Sequence, residues 1–206
     1  MTFRIGALIL FINGKCYQSF GWKQFRPLGD LETAINILDE YEVDEITIIR
    51  PVRDNLDFNF KKDCEEISKI NSNTPITFGG GIRKKSDLKI LRQLPIERIC
   101  LNTSFLTNKI NLIKKIKSDY GKQALVCVLP AKLEKNILMI FNSKKNKFFP
   151  ISKYKLDLYR DYINEYLIID ILNEGSEDKF NFEILEKLNI ERNKLIISGG
   201  TGPKVI

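Results

Sequence analysis

Short apolar runs bounded by glycine and polar residues alternate along the chain with longer stretches of helical period, the pattern of parallel strands joined by crossover helices. Strands are expected at residues 4–11, 45–50, 76–78, 98–101, 124–129, 165–171 and 194–197. Helices are expected at 31–41, 61–70, 87–93, 109–120, 154–163 and 182–188, several of them preceded by a residue able to cap the first turn, such as Asp30, Ser86 or Asn181. Two departures break the alternation. Asn13-Gly14 turns the first strand into a hairpin arm at 15–20, and after the fifth strand 137–141 and 147–151 flank the polar turn 142–146 as a second hairpin. Seven strands are countable, and a closed eight-stranded barrel needs one more strand and helix. The outer edges of the first and seventh strands are therefore expected to be unpaired, through truncation or through cover by another chain.

A chain of 206 residues with 43% hydrophobic content suits one core, so the reading is a single domain over residues 1–206. The net charge of +7 comes from lysines spread over helix patterns. No compact basic block interleaved with aromatics is read in the sequence, so an anionic small molecule is expected as ligand in place of nucleic acid. Cys16, Cys64, Cys100 and Cys127 lie far apart in mostly apolar runs, without metal-ligand spacing, and read as free thiols of a reducing, cytoplasmic compartment. With no histidine present, proton transfer falls to carboxylates, lysine, hydroxyls or backbone amides, and neither a metal nor a cofactor is expected. Residues 5–12 resemble the core of a signal peptide but run into Asn13-Gly14 without a cleavage pattern, and no apolar run has the length of a membrane span.

The sharpest motif is Phe78-Gly79-Gly80-Gly81-Ile82-Arg83, which follows an apolar strand and precedes a helix. Consecutive glycines let main-chain amides approach an oxyanion closely. Ser198-Gly199-Gly200-Thr201-Gly202 repeats the device after the last strand, which implies two anion sites on one rim. Asn102-Thr103-Ser104 closes the fourth strand with further donors.

These residues, with Arg4-Ile5, Asn13-Gly14-Lys15 and Glu174-Gly175-Ser176 in the same order, resemble the histidine-biosynthesis barrel family over essentially the whole chain. Within it, the Asn-Thr pair and the second hairpin favour a HisF-like protein, the cyclase subunit of imidazole glycerol phosphate synthase, over its sister isomerase. The resemblance implies a (β/α)8 TIM barrel of the phosphate-binding, ribulose-phosphate type, lacking the eighth strand–helix unit in this chain. It places one phosphate site at Gly80, Gly81, Asn102 and Thr103 and another at Gly199 and Gly200. It also implies a HisH-like glutaminase partner at the N-terminal face, whose ammonia passes a gate matched here by Arg4, Glu45, Arg98 and Glu165. Ordinary surface ion pairing, worth about 0–1 kcal/mol each, is the competing reading of those four residues.

The family's catalytic aspartates match Leu10 and Pro130, neither of which can carry a proton. The lysine after the first turn matches Gln18, and the acidic end of the second strand matches Arg50. Glu174 is left as the acid/base candidate, and Arg50 and Arg83 as substrate clamps. The expected function is that of a divergent cyclase-like subunit of a glutamine amidotransferase, binding a phosphorylated or nucleotide-linked substrate. Its rivals are the standard histidine-pathway cyclase, a noncatalytic phosphosugar-binding scaffold and, more weakly, a free-standing isomerase.

Overall fold

In the computed structural model, which describes residues 4–53 and 57–204, each expected apolar run becomes a strand. In chain order the elements are β1 (Gly6–Ile12), β2 (Lys15–Phe20), β3 (Gln24–Gly29), α1 (Leu31–Glu40), β4 (Glu45–Ile49), α2 (Phe60–Ile67), β5 (Ile76–Gly79), α3 (Asp87–Leu91), β6 (Arg98–Leu101), α4 (Thr103–Leu106), α5 (Ile110–Tyr120), β7 (Leu125–Glu134), β8 (Ile137–Asn142), β9 (Lys147–Pro150), β10 (Glu165–Asp170), α6 (Glu183–Glu186) and β11 (Leu195–Ser198). The sheet runs β11-β10-β7-β6-β5-β4-β1-β2-β3, with β8 and β9 branching from β7. All pairings from β1 through β4, β5, β6, β7 and β10 to β11 are parallel, as in a (β/α)8 barrel.

The period of two along each strand separates two layers. Ile9, Phe11, Ile46, Ile48, Phe78, Ile99, Cys127 and Leu129 pack in the larger core, with helical residues such as Ile35, Ile67, Leu91 and Ile113. Residues of the opposite parity, Cys100, Val126, Val128, Leu167 and Ile169, form a second cluster with Leu8, Ile49 and Ile196 on the other face. On this inner face β4, β6 and β10 begin with Glu45, Arg98 and Glu165.

Both expected hairpins form. β2 turns back on Leu10, Phe11 and Ile12 of β1. A third strand, β3, extends that hairpin although it is wholly exposed and contains Pro27, features that argue against a strand in sequence. β7 does not stop at 129. It continues through Pro130 to Glu134 and into its antiparallel pairing with β8, so barrel strand and hairpin arm are one piece.

The helix expected at 154–163 is absent. Two short 3-10 turns, Ile151–Lys153 and Leu156–Tyr159, stand there instead. Tyr154, Asp157, Tyr159, Asp161 and Tyr162 are weak helix formers, and the segment is pinned by Tyr159, which is 2% exposed, packs edge-on to Phe105 and donates its hydroxyl to Asn108 Oδ1 at 2.9 Å. The helix expected at 182–188 shrinks to the single turn of α6.

The outer edge of β11 has no partner among the described residues, as expected; β1 is paired on that side only through its last three residues, by β2. Between these edges lies an opening of about 1160 Å3, lined by Gly6, Ala7 and Leu8 on one side and by residues 195–200 on the other.

Candidate functional site

Strand parity and parallel register bring the first residues of β4, β6 and β10 to one end of the inner face. There Arg98 donates to the carboxylates of both Glu45 and Glu165, and Arg4 donates to Glu165 Oε1 at 2.5 Å. Thr77 donates its hydroxyl to Glu45 and accepts from Arg98 Nε at 3.2 Å. The four residues expected as a ring thus form one continuous network. Burial, with Arg4 nearby, pulls Arg98 down to about 10, so it remains charged at neutral pH. Side-chain exposures of 11–14% for Arg98, Glu45 and Glu165 set this network apart from surface pairing, because loss of one partner would strand buried charge.

At the opposite rim, where the parallel strands end, a cavity of about 240 Å3 opens over an apolar floor that includes Leu10, Ile49, Val128, Pro130 and Ile169. Gly80, Gly81, Asn102, Thr103, Arg83 and Glu174 all line it. Lys109 and Lys144 join them, and Glu174 is the only carboxylate among the lining residues.

Gly80 and Gly81 have φ of +99° and +83°, in the left-handed region that glycine tolerates. A Cβ on Gly80 would collide with the carbonyl of Arg50, and one on Gly81 with the guanidinium itself. The triple glycine therefore has a packing reason as well as an anion-binding one. Asn102 faces inward but is tied to the second hairpin: its Nδ2 donates to the carbonyls of Val128 at 2.9 Å and Phe141 at 3.4 Å, and its Oδ1 accepts from Ser143 at 3.1 Å.

Gly199 and Gly200 end a strand parallel to β5 and so share its rim, but they lie along the wider opening beside β1. The two openings adjoin through Leu8, Leu10 and Glu174. The Gly200 carbonyl accepts from the amides of Lys179 and Phe180 at 2.8 and 3.0 Å, and this close approach leaves no room for a Cβ.

Arg50 does not serve as expected. It is 3% exposed, and its guanidinium makes a fork onto Asp57 at 2.7 and 2.8 Å, bonds Asp63 at 2.7 Å and reaches the Gly80 carbonyl at 3.3 Å. With its donors consumed, it buttresses the glycine turn from behind and has none left to clamp a substrate. Arg83 stays at the cavity, its main-chain amide held by Asp87 Oδ2 at 2.8 Å.

Glu174 accepts from Ser19 Oγ at 2.7 Å and from the main-chain and indole N–H groups of Trp22, both at 3.2 Å. Burial pushes its carboxyl above the usual glutamate value against these hydrogen bonds. Gln18 lies in the strand between, along the wider opening.

Three lining residues escape a reading based on glycine and charge: Trp22, Arg53 and Phe141. Trp22 packs edge-on to Phe141 with ring centres 5.0 Å apart, and the Arg53 guanidinium lies 5.5 and 5.6 Å from the two ring centres. The only sequence signal was that Trp22 is the single tryptophan. Lysines and phenylalanines do interleave in the β8–β9 hairpin and just beyond it, contrary to expectation. There, however, Lys145 and Lys153 sit over Phe149 at 5.3 and 3.8 Å and Lys132 over Phe148 at 4.5 Å, which occupies ring faces a nucleic-acid base would use. Among the described residues no cluster of cysteines and carboxylates could hold a metal ion, and no helix is long and apolar enough to cross a membrane.

Comparison with known proteins places the chain in a family. The model of the family described as "Histidine biosynthesis protein" matches residues 5–204. A putative imidazole glycerol phosphate synthase subunit hisF2 of Campylobacter jejuni is 27% identical, covering 96% of this chain and 79% of that protein. A protein of the same description from Vibrio vulnificus is 24% identical over 90% of this chain and 69% of its own length. The imidazole glycerol phosphate synthase subunit HisF of Sulfurisphaera tokodaii is 23% identical over 97% and 81%.

Proposed function

The chain belongs to the histidine biosynthesis protein family, and on that premise we propose that it is a divergent cyclase-like subunit of a glutamine amidotransferase. In this reading a phosphorylated or nucleotide-linked substrate rests at the rim on the amides of Gly80 and Gly81, with Thr103 beside them and Gly199 and Gly200 at its other end. Arg83 supplies charge. Ammonia arrives from a HisH-like glutaminase docked at the opposite face, past Arg4, Glu45, Arg98 and Glu165. An ammonia molecule that attacks a substrate must shed a proton, and Glu174 is the carboxylate in the cavity able to take it.

The observation that carries this reading is the network at the foot of the inner face. Four charges gathered by register under an apolar interior, with side-chain exposure of 14% or less on three of them, are costly to assemble and serve no packing need. The test is a mixture of the chain with a HisH-like glutaminase. The two should co-elute, and label from the amide nitrogen of glutamine should reach a phosphorylated acceptor. The paired reversal Glu45→Arg with Arg98→Glu keeps the charge sum and should slow that transfer by on the order of a hundredfold, as misplaced groups along a reaction path do. Transfer at the wild-type rate would remove the gate from the proposal.

A noncatalytic scaffold is the second reading, and one observation favours it: Leu10 and Pro130, at the positions of the family's aspartates, both line the cavity and make its floor apolar. It predicts co-elution with the glutaminase and no nitrogen transfer to any acceptor.

A further inference from the structure

Most of the chain's positive surplus is gathered on one arm. From Lys132 near the end of β7 to Lys155 beyond β9 there are seven lysines and a single carboxylate, Glu134, which accounts for almost all of the net charge of +7. Elsewhere lysines stand beside carboxylates, as Lys61 does with Glu65, Lys115 with Asp119 and Lys194 with Glu191. On the arm only Lys132 forms an ion pair among the described residues, with Glu134 at 2.7 Å, while Lys135, Lys144, Lys145, Lys147, Lys153 and Lys155 are exposed.

Such crowding opposes folding, because like charges repel. The arm nevertheless holds it in place. Lys145 and Lys153 both lie over Phe149, at 5.3 and 3.8 Å, which keeps the two ammonium groups within about 10 Å of each other, the reach of a charge at moderate salt. Asn142, 2% exposed, fixes the bend between β8 and β9: its Oδ1 accepts from the Lys145 amide at 3.1 Å and its Nδ2 donates to the Tyr154 hydroxyl at 3.3 Å. Asn102 ties the same bend to the rim through the Ser143 hydroxyl and the Phe141 carbonyl. The arm's charges are thus fixed at the mouth of the rim cavity, where Ser143 and Lys144 line the opening and Glu174 is the only lining carboxylate. Apolar walls such as Leu10, Ile49 and Val128 focus the field of cations around them.

We propose that the β8–β9 arm is an electrostatic funnel, which draws small, multiply charged anions from solution to the rim cavity without contacting them once they are bound. Lys145, Lys147 and Lys153 are not among the lining residues, so they act through their field. A field has a signature that direct contact lacks, since salt screens it away. The inference rests on the proposed anion site at Gly80 and Gly81, and the experiment separates the two.

The whole chain is titrated by calorimetry with inorganic phosphate and with pyrophosphate, at ionic strengths held at about 0.01 M and about 1 M, where a charge reaches about 30 Å and about 3 Å. At the lower strength the triple variant Lys145→Gln, Lys147→Gln, Lys153→Gln should bind pyrophosphate on the order of tenfold more weakly than wild type. Phosphate, with less charge, should lose less, and at the higher strength variant and wild type should agree. The control removes as much charge ahead of the starts of β5, β7 and β11, through Lys69→Gln, Lys122→Gln and Lys194→Gln, and should cost far less. Melting curves confirm folding, and Lys147→Gln alone, at the exposed first residue of β9, should give a smaller loss in the same direction. No loss at low salt, a loss that persists at high salt, or an equal loss in the control overturns the funnel and leaves the anion site standing. Failure of wild type to bind either probe at low salt removes the anion site and the funnel together.

Discussion

With Arg50 engaged by Asp57 and Asp63, the chemistry of the rim concentrates on a few groups, and Glu174 is the one whose state depends on pH. Its carboxyl is raised by burial, so the folded protein holds that proton more tightly than the unfolded chain does. The stability this contributes is present below the ordinary glutamate value and is lost as pH rises through the raised one. Wild type should therefore lose melting temperature relative to Glu174→Gln as pH climbs from about 4.5 toward neutrality, the ordinary glutamate range being near 4.3. A difference between the two proteins that does not change over that interval would show that burial leaves Glu174 unshifted. The roles of Leu10 and Pro130 could be read directly from residue identity, since neither can carry a proton. The engagement of Arg50 could not, because Asp57 and Asp63 reach it only when the loop after β4 and the start of α2 fold against β5.

At the scale of elements, hydrophobic period located all seven parallel strands, and turn residues located both hairpins. Period failed where another force decided. At 154–163 the apolar spacing suits a helix, yet tyrosine and aspartate weaken it and the anchoring of Tyr159 wins. β3 was invisible because its partner, β2, supplies a ladder of hydrogen bonds that its own exposed residues do not announce. The turn after β5 was legible as glycine-rich, but the reason was only half readable. A Cβ at Gly80 meets the Arg50 carbonyl and must also adopt φ near +99°. Gly80→Ala should then destabilise the fold by about 1–3 kcal/mol or more, whether or not an anion is bound. In a chain of this size each kcal/mol corresponds to a drop of about 2–4 °C in melting temperature. Melting curves taken with and without phosphate check this, and an unchanged temperature for the variant would remove Arg50 from the turn's design.

Across the whole molecule the two ends of one inner face carry opposite kinds of chemistry. A closed network of paired charges stands where the strands begin, and a cavity lined by arginine, lysine and aromatic rings opens where they finish. Register alone sets this polarity, since parallel strands keep all their first residues together. It was visible in sequence for the charged end, where three strands open on Glu45, Arg98 and Glu165 and Arg4 precedes a fourth. It was not visible for the aromatic wall, which joins the β2–β3 connection, the loop after β4 and the end of β8, segments far apart along the chain.

Among the described residues the last parallel strand is secured on one side alone. β11 is only half-buried and bonds to β10, whereas β5 is buried throughout and bonded on both flanks. Breathing of the structure should therefore begin at that margin and work inward. In deuterated water the amides of residues 195–198 should lose their protons orders of magnitude sooner than those of residues 76–79, so that the second glycine turn hangs from a strand that opens often and the first from one that seldom does.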